Sequence, residues 1–297
     1  MPIGSLRRVA LVAALSAAAL GFGPGAGPAV LAGGSASYRG TAEAEGLRVT
    51  ASGPDTEFLD GGGPLARSIV DGSGNSQAFA SLPSPGPLQV ESSYPAQAEQ
   101  TLIQPGYQLV ARSEEQRSEG WAKTGEIVEN SPEKGLEQAP VLATQARAIS
   151  GHDPDSGLVR VTAIATVDTL GLGGEEGGVL RIGRVVATAA VERAPGSEPV
   201  RRSLFRAEGV SILDKAVGLN EKGFTAVGRD APLPDDSPLA QALEQAGITV
   251  TYLSAVEHPD GVVSPGLVIR QEREIPGGPS VVFTYVLGRA AAYAQAS

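Results

Sequence analysis

Residues 167–185 read VDTLGLGGEEGGVLRIGRV, two apolar arms around a GGEEGG core, and the way these arms pair decides the fold class. Ahead of the core, Val159, Val161, Ala163, Ala165 and Val167 share one face of an extended chain, whereas Leu170 and Leu172 fall on the other. Beyond it, Leu180 and Ile182 share one face, and Val185, Ala187, Ala189 and Val191 share the opposite one. Side chains alternate between the two faces of a strand, so each arm changes its apolar face on approaching the tip. An antiparallel pairing in which opposed residue numbers sum to 352 sets every apolar group against its counterpart. The same register places Arg160 opposite Glu192 and Asp168 opposite Arg184. Opposite charges so placed contribute about 0.2–1 kcal/mol each and mark the register more than they stabilise it.

Two readings account for the face change near Thr169 and Gly183. In one, the hairpin passes from one packing layer to another, with Gly171 and Gly183 easing the bend. In the other, the apolar tip formed by Leu170, Leu172, Leu180 and Ile182 is exposed and touches a ligand, a partner or a lipid surface.

Outward from the hairpin, strand-like runs separated by Gly and Pro recur at 46–52, 66–70, 77–82, 107–112, 141–149, 158–172, 179–192, 248–257, 262–275 and 281–287. One helix is expected near 237–246. Ser237 caps it, Pro238 suits its first position, LAQALEQA supplies good helix formers, and Gly247 ends it. The stretches 53–64 and 83–87 read as loops. The polar segment 126–140 connects an N-terminal β part (33–125) to a C-terminal β part (141–297), as a domain boundary or within one continuous domain. The expected class is mainly β: antiparallel sheets of long strands, in a sandwich or curved half-barrel, with one short helix.

Composition agrees with that class. The 297 residues are 41% hydrophobic, enough for a substantial core, and 39 Gly, 22 Pro and 4% aromatics favour turns and small side chains. Residues 1–32 read as a signal peptide: Arg7 and Arg8 form the basic region, Val9–Leu20 the apolar region, and cleavage follows Ala32 or, alternatively, Ser37. Twelve apolar residues fall short of the ~20 that span a bilayer, so no stable transmembrane anchor is expected. Without this leader the chain carries 21 basic against 33 acidic residues, a net charge of −12, which disfavours a phosphate backbone as partner. Cysteine is absent, which excludes disulfides, thiolate metal sites and lipid attachment at a leader Cys.

Catalytic patterns are sparse. The two histidines fall in turn-like contexts, Gly151–Gly157 (GHDPDSG) and His258–Gly261 (HPDG), where Pro, Asp and Gly serve chain reversal. Asp153 and Asp155 resemble the start of a calcium loop, but the remaining ligand spacing is missing. Glu175–Glu176 and Asp235–Asp236 read as solvated loop charges. No catalytic residue, cofactor or metal ligand is assigned. The inward alanines 163, 165, 187 and 189 permit close approach of a second layer, or alternatively line a cavity for an apolar ligand.

The runs GGVLRIGRVVATAAVE (177–192), GVSILDKAVGLNEKGF (209–224), LAQALEQAGITVTYL (239–253) and DGVVSPGLVIRQE (260–272) resemble those of uncharacterised secreted proteins of high-GC Gram-positive bacteria. The segment 60–86 is a weaker match. The resemblance implies secretion and an all-β body, and assigns no residue a role. The expectation is an exported, non-enzymatic β protein that is extracellular or cell-wall associated and acts as a binding or structural component. A carrier of an apolar ligand and a secreted hydrolase are the alternatives.

Overall fold

The computed structural model describes residues 37–54, 57–82, 88–125, 143–173, 178–228, 231–274 and 280–297. The segments read from sequence as a leader (1–32), a loop (83–87) and a polar connection (126–140), together with Glu175–Glu176, lie outside the described residues. In chain order the elements are β1 (Tyr38–Ser52), β2 (Glu57–Asp71), β3 (Ser76–Leu82), β4 (Leu88–Tyr94), β5 (Glu99–Gln104), β6 (Tyr107–Glu114) and β7 (Arg117–Thr124). Then come β8 (Ala143–His152), β9 (Val159–Leu172), β10 (Leu180–Arg193), β11 (Val200–Glu208), β12 (Ser211–Ile212), β13 (Lys215–Asn220) and β14 (Gly223–Ala226). The helix α1 (Pro238–Gln245) precedes β15 (Ile248–Leu253), β16 (Val256–His258), β17 (Gly261–Val263), β18 (Gly266–Glu274) and β19 (Ser280–Ala296).

These strands form two antiparallel sheets stacked face to face. The first has nine strands in the order β15-β18-β19-β1-β2-β3-β4, with β17 also on β19 and β16 on β17. The second has ten, in the order β14-β13-β12-β10-β9-β8-β7-β6-β5, with β11 beside β10. Across the layers β9 and β10 lie against β19, β8 against β1 and β2, and β7 against β2 and β3. At one end of the sandwich the turn between β4 and β5 is closed by the isolated bridge Ser93–Gln97, and the two strands share no ladder. The chain is therefore mainly β, and its sheets are not closed into a barrel.

The β9–β10 hairpin has the register summing to 352 throughout: Leu172 faces Leu180, Val167 faces Val185, and Arg160 faces Glu192. Arg184 and Asp168 pair at 3.3 Å. The face change has a different cause from layer crossing. Thr169 adopts φ +59°, and the 169–183 pair drops out of the ladder. Asp168 and Thr169 then both point outward, as do Gly183 and Arg184, so Val167 and Leu170, and Ile182 and Val185, all face the interior. A paired irregularity of this kind re-aims the pleat while both strands stay in one layer. Leu170, Leu172, Leu180 and Ile182 are 4%, 3%, 0% and 2% exposed. The exposed-tip reading is thus corrected for these four side chains, which pack inside the sandwich.

The irregularity extends well beyond one hairpin. In the facing sheet the 46–288 pair is skipped, Gly288 takes φ +68°, and the 46–64 pair of β1 and β2 is also missing. β17 and β18 share one register on β19 and are interrupted opposite the same point. In the second sheet β11 and β12 likewise share one register on β10, interrupted at Gly209–Val210. A transverse crease therefore crosses both sheets. On one side the interior is built from alanines and valines, among them Ala42, Ala44, Ala163, Ala187 and Ala292. On the other it is built from Leu170, Leu180, Ile182, Ile212, Leu267, Ile269 and Leu287, with Leu243 of α1 packed among them.

The small side chains bring the sheets into backbone contact. A Cβ on Gly120 of β7 would lie 2.4 Å from the Phe79 carbonyl oxygen and 2.5 Å from that of Arg67. Nearby, short hydroxyls hydrogen-bond across the layers: Ser68 to Ser150 at 2.8 Å, Ser92 to Ser113 at 2.7 Å, and the Ser118 hydroxyl donating to the Ile69 carbonyl at 2.9 Å. Buried hydroxyls without partners would destabilise the core, and these find theirs because the layers are so close.

The helix forms as expected, with the Ser237 hydroxyl accepting from the Ala240 N–H and Gly247 at φ +64°. Elsewhere the expected strands are corrected. The 53–64 segment is strand from Glu57, because pairing with β1 overrides its turn-rich composition. The 248–257 and 262–275 runs each divide in two. β4, β5, β7 and β11–β14 carry too little apolar alternation to be read from sequence.

Glu45 lies beside the crease, buried, 3.6 Å from Arg48. Burial pushes its carboxyl pKa up, while Arg48 and then Arg289 oppose the shift. Its folded value exceeds its unfolded value, so its stabilising contribution is full below the ordinary glutamate range and is lost as pH rises through the folded value. Glu45→Gln is expected to flatten that loss and to raise stability on its alkaline side. Urea midpoints between about pH 4 and pH 8 check this; an unchanged pH profile contradicts it.

Candidate functional site

β12 and β13 pair only through residues 211–212 and 215–216, so the β13–β14 hairpin diverges from neighbouring β11. The divergence opens a surface cleft of about 450 Å³ between Phe205–Ala207 and the 219–222 turn, with Tyr252 of β15 at its base. Phe205 and Tyr252 meet edge to face, ring centres 5.4 Å apart at 90°, a favourable aromatic geometry. Arg206, Glu221 and Lys222 supply charge at the rim. Burial, with the Glu221 carboxylate adding to it, raises the Tyr252 pKa. The phenol therefore stays protonated at neutral pH. Aromatic and charged side chains thus line one open surface cleft together.

The two histidines occupy strand ends near the start of β1 and the end of β19. His152 stacks on Tyr38 with centroids 3.6 Å apart and planes 7° apart. Gln116 Oε1 accepts from the Tyr38 hydroxyl at 2.8 Å and lies 2.7 Å from His152 Nδ1, which assigns the ring proton to Nδ1. Burial pushes the His152 pKa down, against the pull of Asp153. His258 accepts at its carbonyl from Arg201 Nε at 2.9 Å, and its ring tilts against Tyr293 at 5.6 Å. Beside it Asp260 pairs with Arg193 and accepts from Gln295 at 3.0 Å.

These contacts join strands and hold the end of the sandwich. Asp153 does the same within its turn, accepting from the Asp155 N–H at 3.1 Å and the Ser156 hydroxyl at 2.6 Å. His152→Ala removes both a stack and a hydrogen bond, and an expected loss of about 1–2 kcal/mol follows. That contribution is full above the ordinary imidazole value and is lost as pH falls through it toward the depressed folded value. Denaturant titrations on either side of about pH 6.5 check this; equal midpoints for parent and variant contradict it.

Among the described residues, no group of three or more His, Cys, Asp or Glu is placed to hold a metal ion. No helix of the described residues is long and apolar enough to cross a membrane. The four apolar residues singled out from the sequence are interior and line neither region. Phe205 and Tyr252 escaped sequence reading because they come together from strands of different sheets.

The fold and cleft define a creased, two-sheet antiparallel β protein with an aromatic surface recess. No family model matches the chain, and no curated protein matches it. Among solved structures, the translocator domain of autotransporter NalP from Neisseria meningitidis aligns over 86% of this chain and 88% of that one. Identity there is 13% and the TM-score 0.13, too low to carry an argument about fold or function.

Proposed function

We propose that this chain is an exported, non-enzymatic β protein that acts by binding at its surface, as an extracellular or cell-wall associated component. The closed interior carries this reading. Where the inward alanines left open either close packing or an apolar cavity, the backbone contact at Gly120 and the cross-layer serine bonds support close packing. Binding is thereby assigned to surfaces such as the Phe205–Tyr252 cleft. Cosedimentation of the purified protein with envelopes isolated from its own host tests the reading. Saturable binding that falls on Tyr252→Ala is expected. Absence of binding, together with turnover of a chromogenic ester or glycoside, would favour the hydrolase alternative and overturn it.

A further inference from the structure

β11 is hydrogen-bonded to β10 along one side, and none of the described strands pairs with its other side. Its outward face carries Val200, Arg202, Leu204, Arg206 and Glu208, all exposed, with Val200 at 51% and Leu204 at 47%. An exposed, nine-residue edge with apolar side chains is a template for another strand. At Val210 the edge is taken over by β13, whose Val217 N–H donates to the Val210 carbonyl. The cleft lies beside the free portion.

We propose that this edge pairs with β11 of a second copy of the chain, antiparallel about a two-fold axis at Phe205. The charge pattern and the length of the free edge together select the register. A two-fold axis normal to a sheet requires some residue to face its own copy. Centring on Arg202 or Arg206 sets like charges opposite each other, and centring on Leu204 sets Arg202 against Arg206 twice. Centring on Ser203 forms no charge pair at all. Centring on Ala207 sets Arg206 against Glu208, which already meet within one chain at 3.6 Å, and leaves only residues 205–209 to overlap before β13 takes over. Centring on Phe205 places Arg202 opposite Glu208 twice over a longer overlap, and cross-strand opposite charges are favourable where like charges are not. The resulting overlap, residues 202–208, ends just before β13 takes over, and the cleft beside Phe205–Ala207 receives Ser203–Phe205 of the second copy. Arg201 stays with its own chain, donating to the His258 and Pro259 carbonyls. The local match matters because the chain carries a net charge of −10, which opposes association elsewhere on its surface.

Sedimentation equilibrium of the full chain, from about 1 to 100 µM, is expected to show a mass rising toward twice the 30.2 kDa of one chain. Arg202→Glu and Glu208→Arg should each weaken association at least about tenfold. The double variant should restore it, because the exchange recreates both opposite-charge pairs. Leu204→Lys, at an exposed position, supplies a further weakening variant that leaves the monomer intact, with far-ultraviolet circular dichroism as the check on folding. A chain that stays monomeric throughout, including one whose β11 edge binds an acidic peptide instead, overturns the proposal. So does a double variant that fails to regain association while remaining folded.

Discussion

Gly120→Ala is expected to destabilise the protein by on the order of 3 kcal/mol or more, a large effect for a single methyl group. The added carbon would sit 2.4 and 2.5 Å from two carbonyl oxygens of the opposite sheet, and 3.2 Å from the Arg67 backbone nitrogen. All three atoms belong to backbone already committed to the β2–β3 ladder. No rotamer change relieves such a contact, so the layers must separate. Separation lengthens the Ser68–Ser150 and Ser92–Ser113 bonds in the same interface. Urea unfolding measures the effect directly, and a midpoint equal to that of the parent would mean that the sheets are not in backbone contact.

Leu170→Ala is expected to cost about 2–5 kcal/mol, the range for emptying a packed core position. Leu170 is 4% exposed and lies opposite Ile182, in the cluster containing Leu267, Ile269 and Leu287 of the facing sheet. Those neighbours are held by long ladders and cannot collapse into the vacated space. Ile103, at 66% exposure on edge strand β5, is the control, and its truncation should change stability by less than about 0.5 kcal/mol. Equal effects at the two positions would return the hairpin tip to the surface.

The hairpin shows how far sequence reading reached. Its register was legible because the apolar groups and two opposite-charge pairs agree on one alignment. The helix was legible because Ser237, Pro238 and Gly247 each have a local geometric reason to stand where they do. The crease was visible only as a phase change in one hairpin. Its cause, Thr169 in the left-handed region, is dictated by packing rather than by threonine's own preference. Its continuation through Gly46 and Gly288 requires knowing that β1 and β19, at opposite ends of the described chain, lie side by side. β5 and β11 were hidden because edge strands face water on several sides and lack alternation. The cleft was hidden because β11 and β15, which bring Phe205 and Tyr252 together, belong to different sheets.

The crease also gives the alanine-rich part of the interior its meaning. Small inward residues on long strands fit two opposite architectures, a lined cavity or layers in contact, and sequence alone left both open. In the structure Ala42, Ala44, Ala163 and Ala165 are each 0% exposed, and the same interior is crossed by hydroxyl bonds that a cavity would break. Beyond the crease the interior is filled by larger side chains, with α1 and the β12–β15 region completing the packing, while a smaller cluster around Leu109 and Val90 fills the space between β3–β4 and β6–β7.

Native mass spectrometry of the protein isolated from its own host tests the filled interior most directly. The filled sandwich predicts the mass of the processed chain, or of its dimer, with no bound lipid or other apolar molecule. A stoichiometric apolar adduct that survives desalting and is released on unfolding would contradict it.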